Sequence, residues 1–222
     1  MPIHADEPVM RFGAESGAGK SAEIAMIMLH GRGASAGDIS RLAQMLPREH
    51  CAFAVPQASG NSWYPQSFLR PRAENEPHLS SALAVIDRLV LQFEAEGIPA
   101  ERVLLLGFSQ GACLSCEYAA RNPRRYGGVL ALSGGLIGET IDTGEYGGSL
   151  EGTPVFIGCS DRDPHIPVTR LEETAQVLKS LQAAVNLQLY PGMPHTINDD
   201  ELKHVRAVMA ATAGWTTGDH GV

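Results

Sequence analysis

The sequence predicts an α/β domain, a mostly parallel sheet of about seven strands covered by helices on both faces. Short apolar runs, each stopped by glycine, proline or serine, alternate along the chain with longer stretches whose apolar residues recur at helical spacing. Those runs are continuous rather than alternating, as strands buried on both faces require. A length of 222 residues suits one domain with a sizeable core better than two small ones.

Taken in order, residues 9–17 are expected to add an antiparallel edge strand. The run Ile24–Leu29 ends at His30-Gly31, and a helix is predicted over 38–46. Residues 52–55 form the next strand, stopped by Pro56. The long helix predicted over 79–96 places Leu83, Ile86, Leu89, Val90 and Phe93 on one face. Residues 103–106 lead through Gly107 into a helix over Gln110–Arg121. Strands follow at 129–132, 155–157 and 187–190, with helices predicted over 169–183 and 199–211. The expected core runs from about residue 9 to about 213, and 216–222 reads as a loose tail.

Two irregular stretches, 59–77 and 138–153, leave the carboxyl ends of strands, where ligands of open α/β sheets bind. The gap between the 129–132 and 155–157 strands is too short for an inserted cap domain. The expected site is therefore open and walled by loops.

Composition narrows the function. Hydrophobic residues make up 44% and charged residues 19%, the balance of a globular protein. A net charge of −8, with a pI near 5.4, argues against a nucleic-acid partner and against anionic membrane surfaces. The N-terminus lacks a basic region and an apolar run, so it does not read as a signal peptide. No apolar segment approaches the roughly 20 residues of a membrane span. A cytoplasmic location is expected. Of the four cysteines, Cys113 and Cys116 form a C-x-x-C, but the pair falls inside a predicted helix without a second ligand pair. A core role is favoured over redox or zinc chemistry, and no metal or organic cofactor is expected.

The chemistry centres on Gly107-Phe108-Ser109-Gln110-Gly111. A G-x-S-x-G directly after a strand and opening a helix is the setting of a nucleophile elbow, where a sharp turn projects the serine hydroxyl. A helix N-terminus there favours developing negative charge. A serine nucleophile needs a base, and the base needs an acid. His195 follows the 187–190 strand and fits the base. His165 is its rival, but lies too close in sequence to the candidate acids. In Ser160-Asp161-Arg162-Asp163-Pro164, two aspartates compete; the proline biases Asp163 towards an extended backbone, a modest advantage over Asp161. The oxyanion donors expected are the backbone N–H groups of Gln110 and of Arg32, in His30-Gly31-Arg32-Gly33. A structural role is preferred for His30. Trp63, Tyr64 and Leu69 are candidate pocket residues.

Four motifs in this order, Leu29-His30-Gly31-Arg32-Gly33, Gly107-Phe108-Ser109-Gln110-Gly111-Ala112, Asp161 to Pro167, and Tyr190-Pro191-Gly192-Met193-Pro194-His195, resemble the phospholipase/carboxylesterase family. Acyl-protein thioesterases and small bacterial carboxylesterases belong to it. The resemblance covers about residues 25–211. It implies an α/β-hydrolase fold without a cap domain, a Ser109–Asp163–His195 triad, and an oxyanion hole from Arg32 and Gln110. It also implies Asp163 rather than Asp161 as the acid, because the family's aspartate precedes this proline. Many bacterial members carry glycine where Pro194 stands. The stretch Trp63-Tyr64-Pro65-Gln66-Ser67-Phe68 is closer to bacterial esterases than to eukaryotic thioesterases, and a serine nucleophile argues against dienelactone hydrolysis.

The expected activity is hydrolysis of short- to medium-chain carboxylic esters, with a small-molecule ester as substrate and a monomer or homodimer as the assembly. Acyl-protein thioesterase or lysophospholipase-like activity is the alternative. A ligand-binding protein on the same fold is the alternative from another class.

Overall fold

The structure, a computed structural model, describes residues 3–17 and 21–215. A seven-stranded sheet runs in the order β1-β3-β2-β4-β5-β6-β7. Its strands are β1 (Val9–Gly13), β2 (Ile24–Leu29), β3 (Cys51–Pro56), β4 (Val103–Phe108), β5 (Gly128–Leu132), β6 (Pro154–Ser160) and β7 (Ala184–Tyr190). Only β1 is antiparallel, pairing Val9 with Pro56 and Gly13 with Ala52 along β3. It ends four residues earlier than the expected strand over 9–17. Gly13 turns to φ +88, and a side chain there would run into the Cys51 carbonyl.

The helices are α1 (Ala36–Ser40), α2 (His78–Ala95), α3 (Gln110–Arg121), α4 (Val168–Ser180) and α5 (Asp199–Ala213). Successive strand residues feed opposite cores. Ala25, Ile27 and Leu29 of β2 join α2, α3 and α4 on one face, whereas Ile24, Met26 and Met28 join α1 and α5 on the other. Both faces are covered, which is why the strand runs are apolar throughout. The two edge strands are the exceptions: β1 and β7 carry only exposed and half-buried residues.

Two helices differ from expectation by more than two residues. The helix predicted over 38–46 divides into α1 and a 3-10 turn at Arg41–Met45. Ser35 caps α1, accepting from the Asp38 N–H while Asp38 accepts from the Ser35 N–H, so Asp38 is the third residue of the helix rather than its start. The helix predicted to reach 183 stops at Ser180, because Gln182 takes φ +64 and Ala184 opens β7.

The packed chain also begins before residue 9. His4 is buried, bonding the Trp63 carbonyl through Nε2 and the Ser59 N–H through Nδ1. The 216–222 tail expectation lies outside the described residues.

Candidate active site

Five loops leave the carboxyl edge of the sheet and converge. Ser109 sits between β4 and α3 with φ 54 and ψ −116, a conformation that a side-chain-bearing residue rarely adopts. Its N–H is held by the Leu132 carbonyl at 2.9 Å. The flanking glycines allow the bend. A Cβ on Gly107 would strike the Gly111 backbone, and one on Gly111 would strike the Leu29 carbonyl. The turn and the close approach of α3 to β2 therefore depend on the same two positions.

His195 reaches this serine from the loop between β7 and α5. Its Nε2 lies 2.9 Å from Ser109 Oγ, and its Nδ1 lies 2.6 Å from Asp163 Oδ2. Since a carboxylate only accepts, Nδ1–H donates to Asp163, leaving Nε2 to accept the serine proton. The imidazole also packs against the Phe108 ring, centroids 5.0 Å apart.

Asp163 has a side chain with no exposed surface. Its second oxygen accepts the N–H groups of His165 (2.8 Å) and Ile166 (3.1 Å). Burial alone would raise its pKa. The hydrogen bond from His195, those two backbone donors and the charge on His195 outweigh burial and hold the carboxyl below its ordinary value. The competing aspartate has different work: Asp161 Oδ1 accepts the Gly192 N–H at 2.7 Å. His165 stands edge-on to His195, ring centroids 5.0 Å apart, on the exposed rim.

The loop after β2 supplies the opposite wall. His30 is buried; Ala58 N–H donates to its Nε2 at 3.1 Å, so Nδ1–H donates to the Gly31 carbonyl at 2.8 Å. Burial lowers its pKa, and both nitrogens are committed to holding the loop. The Gly33 N–H is taken by the Asn61 carbonyl and the Ala34 N–H by Gly31. Among the described residues the backbone N–H groups of Arg32 and Gln110 have no backbone acceptor, and both residues line the cleft beside Ser109.

Their side chains hold the neighbouring stretch. The Arg32 guanidinium donates to Ser62 Oγ (3.1 Å), the Pro65 carbonyl (2.9 Å) and the Gln66 carbonyl (2.5 Å). The Gln110 amide accepts from Trp63 N–H at 2.9 Å and donates to the Tyr64 carbonyl at 2.8 Å.

The cleft measures about 520 Å³. Its lining divides the three expected pocket residues. Tyr64 lines it. Trp63 does not: fully buried, it donates from its indole to the His30 carbonyl at 2.9 Å and packs on that imidazole, supporting the wall from behind. Leu69 is half-buried against the core and also lies outside the lining. Phe68, Cys113 and Ile166 take their places. Cys113 could have been found from spacing, since it lies four residues after Ser109 and so on the same side of α3. Cys113 and Cys116 are buried free thiols on that helix, and burial pushes Cys113 up to about 11. A larger groove of about 940 Å³ lies against β1, lined by residues such as Phe12, Gln44 and Arg48.

A buried ion network anchors the walls. Glu117 of α3, with no exposed side-chain surface, accepts from Arg121 Nε (2.6 Å) and the Ile137 N–H (3.0 Å), and lies 3.4 Å from Arg72 Nε. Arg72 in turn donates to the Ile137 carbonyl at 2.7 Å. Arg170 of α4 donates to the carbonyls of Leu136, Gly138 and Glu139, and Gly138 N–H reaches the Phe68 carbonyl.

Comparison with known proteins bears on the family and the fold. The profile of the phospholipase/carboxylesterase family matches residues 15–213. Acyl-protein thioesterase 1 of Kluyveromyces lactis is 29% identical over 203 residues, covering 82% of this chain and 89% of that one. A phospholipase/carboxylesterase structure from Dyadobacter fermentans is 45% identical, with a TM-score of 0.88 over 94% of this chain and 98% of that one. The Bacillus cereus carboxylesterase, 16% identical with a TM-score of 0.73 over 94% of this chain and 95% of that one, shares the fold. No helix among the described residues is long and apolar enough to cross a membrane. With an α/β-hydrolase sheet and a profile match over most of its length, the chain belongs to the phospholipase/carboxylesterase family.

Proposed function

We propose that this protein is a serine carboxylesterase acting on short- to medium-chain esters. The observation that carries the reading is the unbroken hydrogen-bond path from Asp163 through His195 to Ser109, ending at the floor of an open cleft. Ser109 Oγ attacks the ester carbonyl as His195 Nε2 takes its proton. Asp163 stabilises the imidazolium that forms. The oxyanion meets the N–H groups of Arg32 and Gln110, which need no reorganisation to receive it. The C–O bond to the alcohol then breaks, and the alcohol leaves with the proton from His195. Water repeats the sequence on the acyl-enzyme, releasing the acid and restoring the serine. Phe68 and Ile166, both buried at the cleft, suit a short or medium apolar acyl group.

Ser109→Ala tests this directly. Turnover of 4-nitrophenyl butyrate should fall by at least about 10³-fold, and full activity in the variant would sink the mechanism. A fluorophosphonate probe should label the wild type and not the variant; no labelling of folded wild type would favour a binding role. The thioesterase name borne by the K. lactis relative supports a second reading, an acyl-protein thioesterase. Ester and thioester series of matched chain length separate the two.

A further inference from the structure

The protein carries a net charge of −8, yet the cleft around Ser109 is lined by Arg32, His165 and His195, and no aspartate or glutamate is among the described residues lining it. Asp163 has a buried side chain committed to His195 and two backbone donors, and the exposed Asp161 accepts the Gly192 N–H. Among the described residues lining the cleft, Arg32 is thus the permanently charged side chain.

The cleft is also divided along its depth. Tyr64, Phe68, Cys113 and Ile166 form a buried, largely apolar floor, whereas Arg32, Gln66, Ser67 and His165 are exposed at the mouth. Arg32 has no carboxylate partner among the described residues. Its guanidinium spends three donors on Ser62, Pro65 and Gln66. A guanidinium has five N–H donors, so two remain for a ligand. His165 keeps its ring at the rim, because only its backbone N–H is used by Asp163. An imidazole presents at least one N–H in either protonation state.

We propose that the preferred substrates are esters that join an apolar part to a part carrying a carboxylate, with the anion held at the mouth by Arg32 and His165. The inference rests on the esterase reading and adds the substrate class to it. A charged hydrogen bond contributes enough to change a rate about tenfold when it is made or lost. At physiological salt, screening over about 8 Å leaves such local contacts in place and weakens the repulsion from distant surface carboxylates.

The test compares matched esters. 4-Acetoxybenzoate against its methyl ester places the anion on the alcohol side; the mono-4-nitrophenyl ester of glutarate against 4-nitrophenyl valerate places it on the acyl side. Each kcat/KM is divided by the rate of the same ester with hydroxide. We expect one pair to show a preference for the anionic member of about tenfold, falling several-fold in His165→Phe, which keeps the ring and removes its donors. Free glutarate or benzoate should compete with substrate more weakly in that variant. Turnover of the neutral esters with a ratio at or below one in both pairs overturns this inference alone. A ratio unmoved by His165→Phe also overturns it. Turnover of no ester by folded protein overturns the esterase reading and this inference with it.

Discussion

The Asp161 carboxylate accepts the backbone N–H of Gly192 at 2.7 Å, while its own N–H donates to the Tyr190 carbonyl at 3.1 Å. This pair of contacts ties the loop that carries Asp163 to the loop that carries His195. Asp161→Ala should lower kcat about five- to tenfold with little change in KM, since a small loss of registry between acid and base is felt at the reacting atoms. Asp161→Asn keeps an acceptor and should recover most of the rate. Equal kcat values for the alanine variant and wild type in steady-state assays would remove this role.

Asp163→Asn should cost more. An amide at this position can offer its own N–H to His195, favouring the tautomer with the proton on Nε2 and leaving Ser109 without a base. A drop in kcat/KM on the order of 10³- to 10⁴-fold is expected, with a near-native circular dichroism spectrum. A loss below tenfold would mean that the Asp163–His195 bond serves structure alone.

Stability should depend on pH through Glu201. This buried carboxyl accepts the Asn198 N–H at 2.9 Å through one oxygen, while the other is buried against Gly158 with no hydrogen-bond partner. Burial pushes its pKa up to about 7; the Asn198 hydrogen bond opposes the shift and the Asp200 charge adds to it. Below about pH 4.5 the group is protonated in both folded and unfolded chains. Between there and about 7 the unfolded chain ionises first, so stability falls as pH rises, and the loss is complete above 7. Glu201→Gln retains the capping interaction and should abolish this fall, on the order of 2 kcal/mol or several degrees in Tm. Thermal unfolding of both proteins at pH 5 and pH 8 checks it; parallel pH dependences would contradict the assignment.

Trp63→Phe separates a supporting residue from a pocket residue. The change leaves the His30 carbonyl without its indole donor and opens space beneath the β2 loop, so Tm should fall by about 5–10 °C. KM for 4-nitrophenyl butyrate should stay within about twofold. A large rise in KM at unchanged Tm would return Trp63 to the pocket.

The inner strands were legible because burial on both faces turns each into an apolar run with a clear stop, and β2 and α3 lie where the sequence places them. Elements that depend on side-chain competition were harder to read. Asp38 looks like the start of a helix, and only its bonds with Ser35 reveal that it is the third residue. Ser109, Asp163 and His195, which hydrogen bonds join in the structure, each follow a strand in a short motif. Residue logic gave Asp163 only a modest advantage over Asp161, since both are turn aspartates and the difference is which loop each one faces. Trp63 and Leu69 were misplaced for a related reason. Apolar composition marks a wall residue, but whether its ring faces ligand or scaffold depends on the buried His30 carbonyl behind it.

The Glu117 network gives the cleft a mechanical character. The helix that follows Ser109 ends its second turn at a carboxylate gripping Arg72 and the Ile137 amide, so nucleophile and walls are tied through one buried network. Such a cleft discriminates by shape that already exists, in the manner of a gauge rather than a clamp. Its turnover should therefore begin without a lag, and new substrates would be admitted through exchanges at single rim residues rather than through altered loop motion.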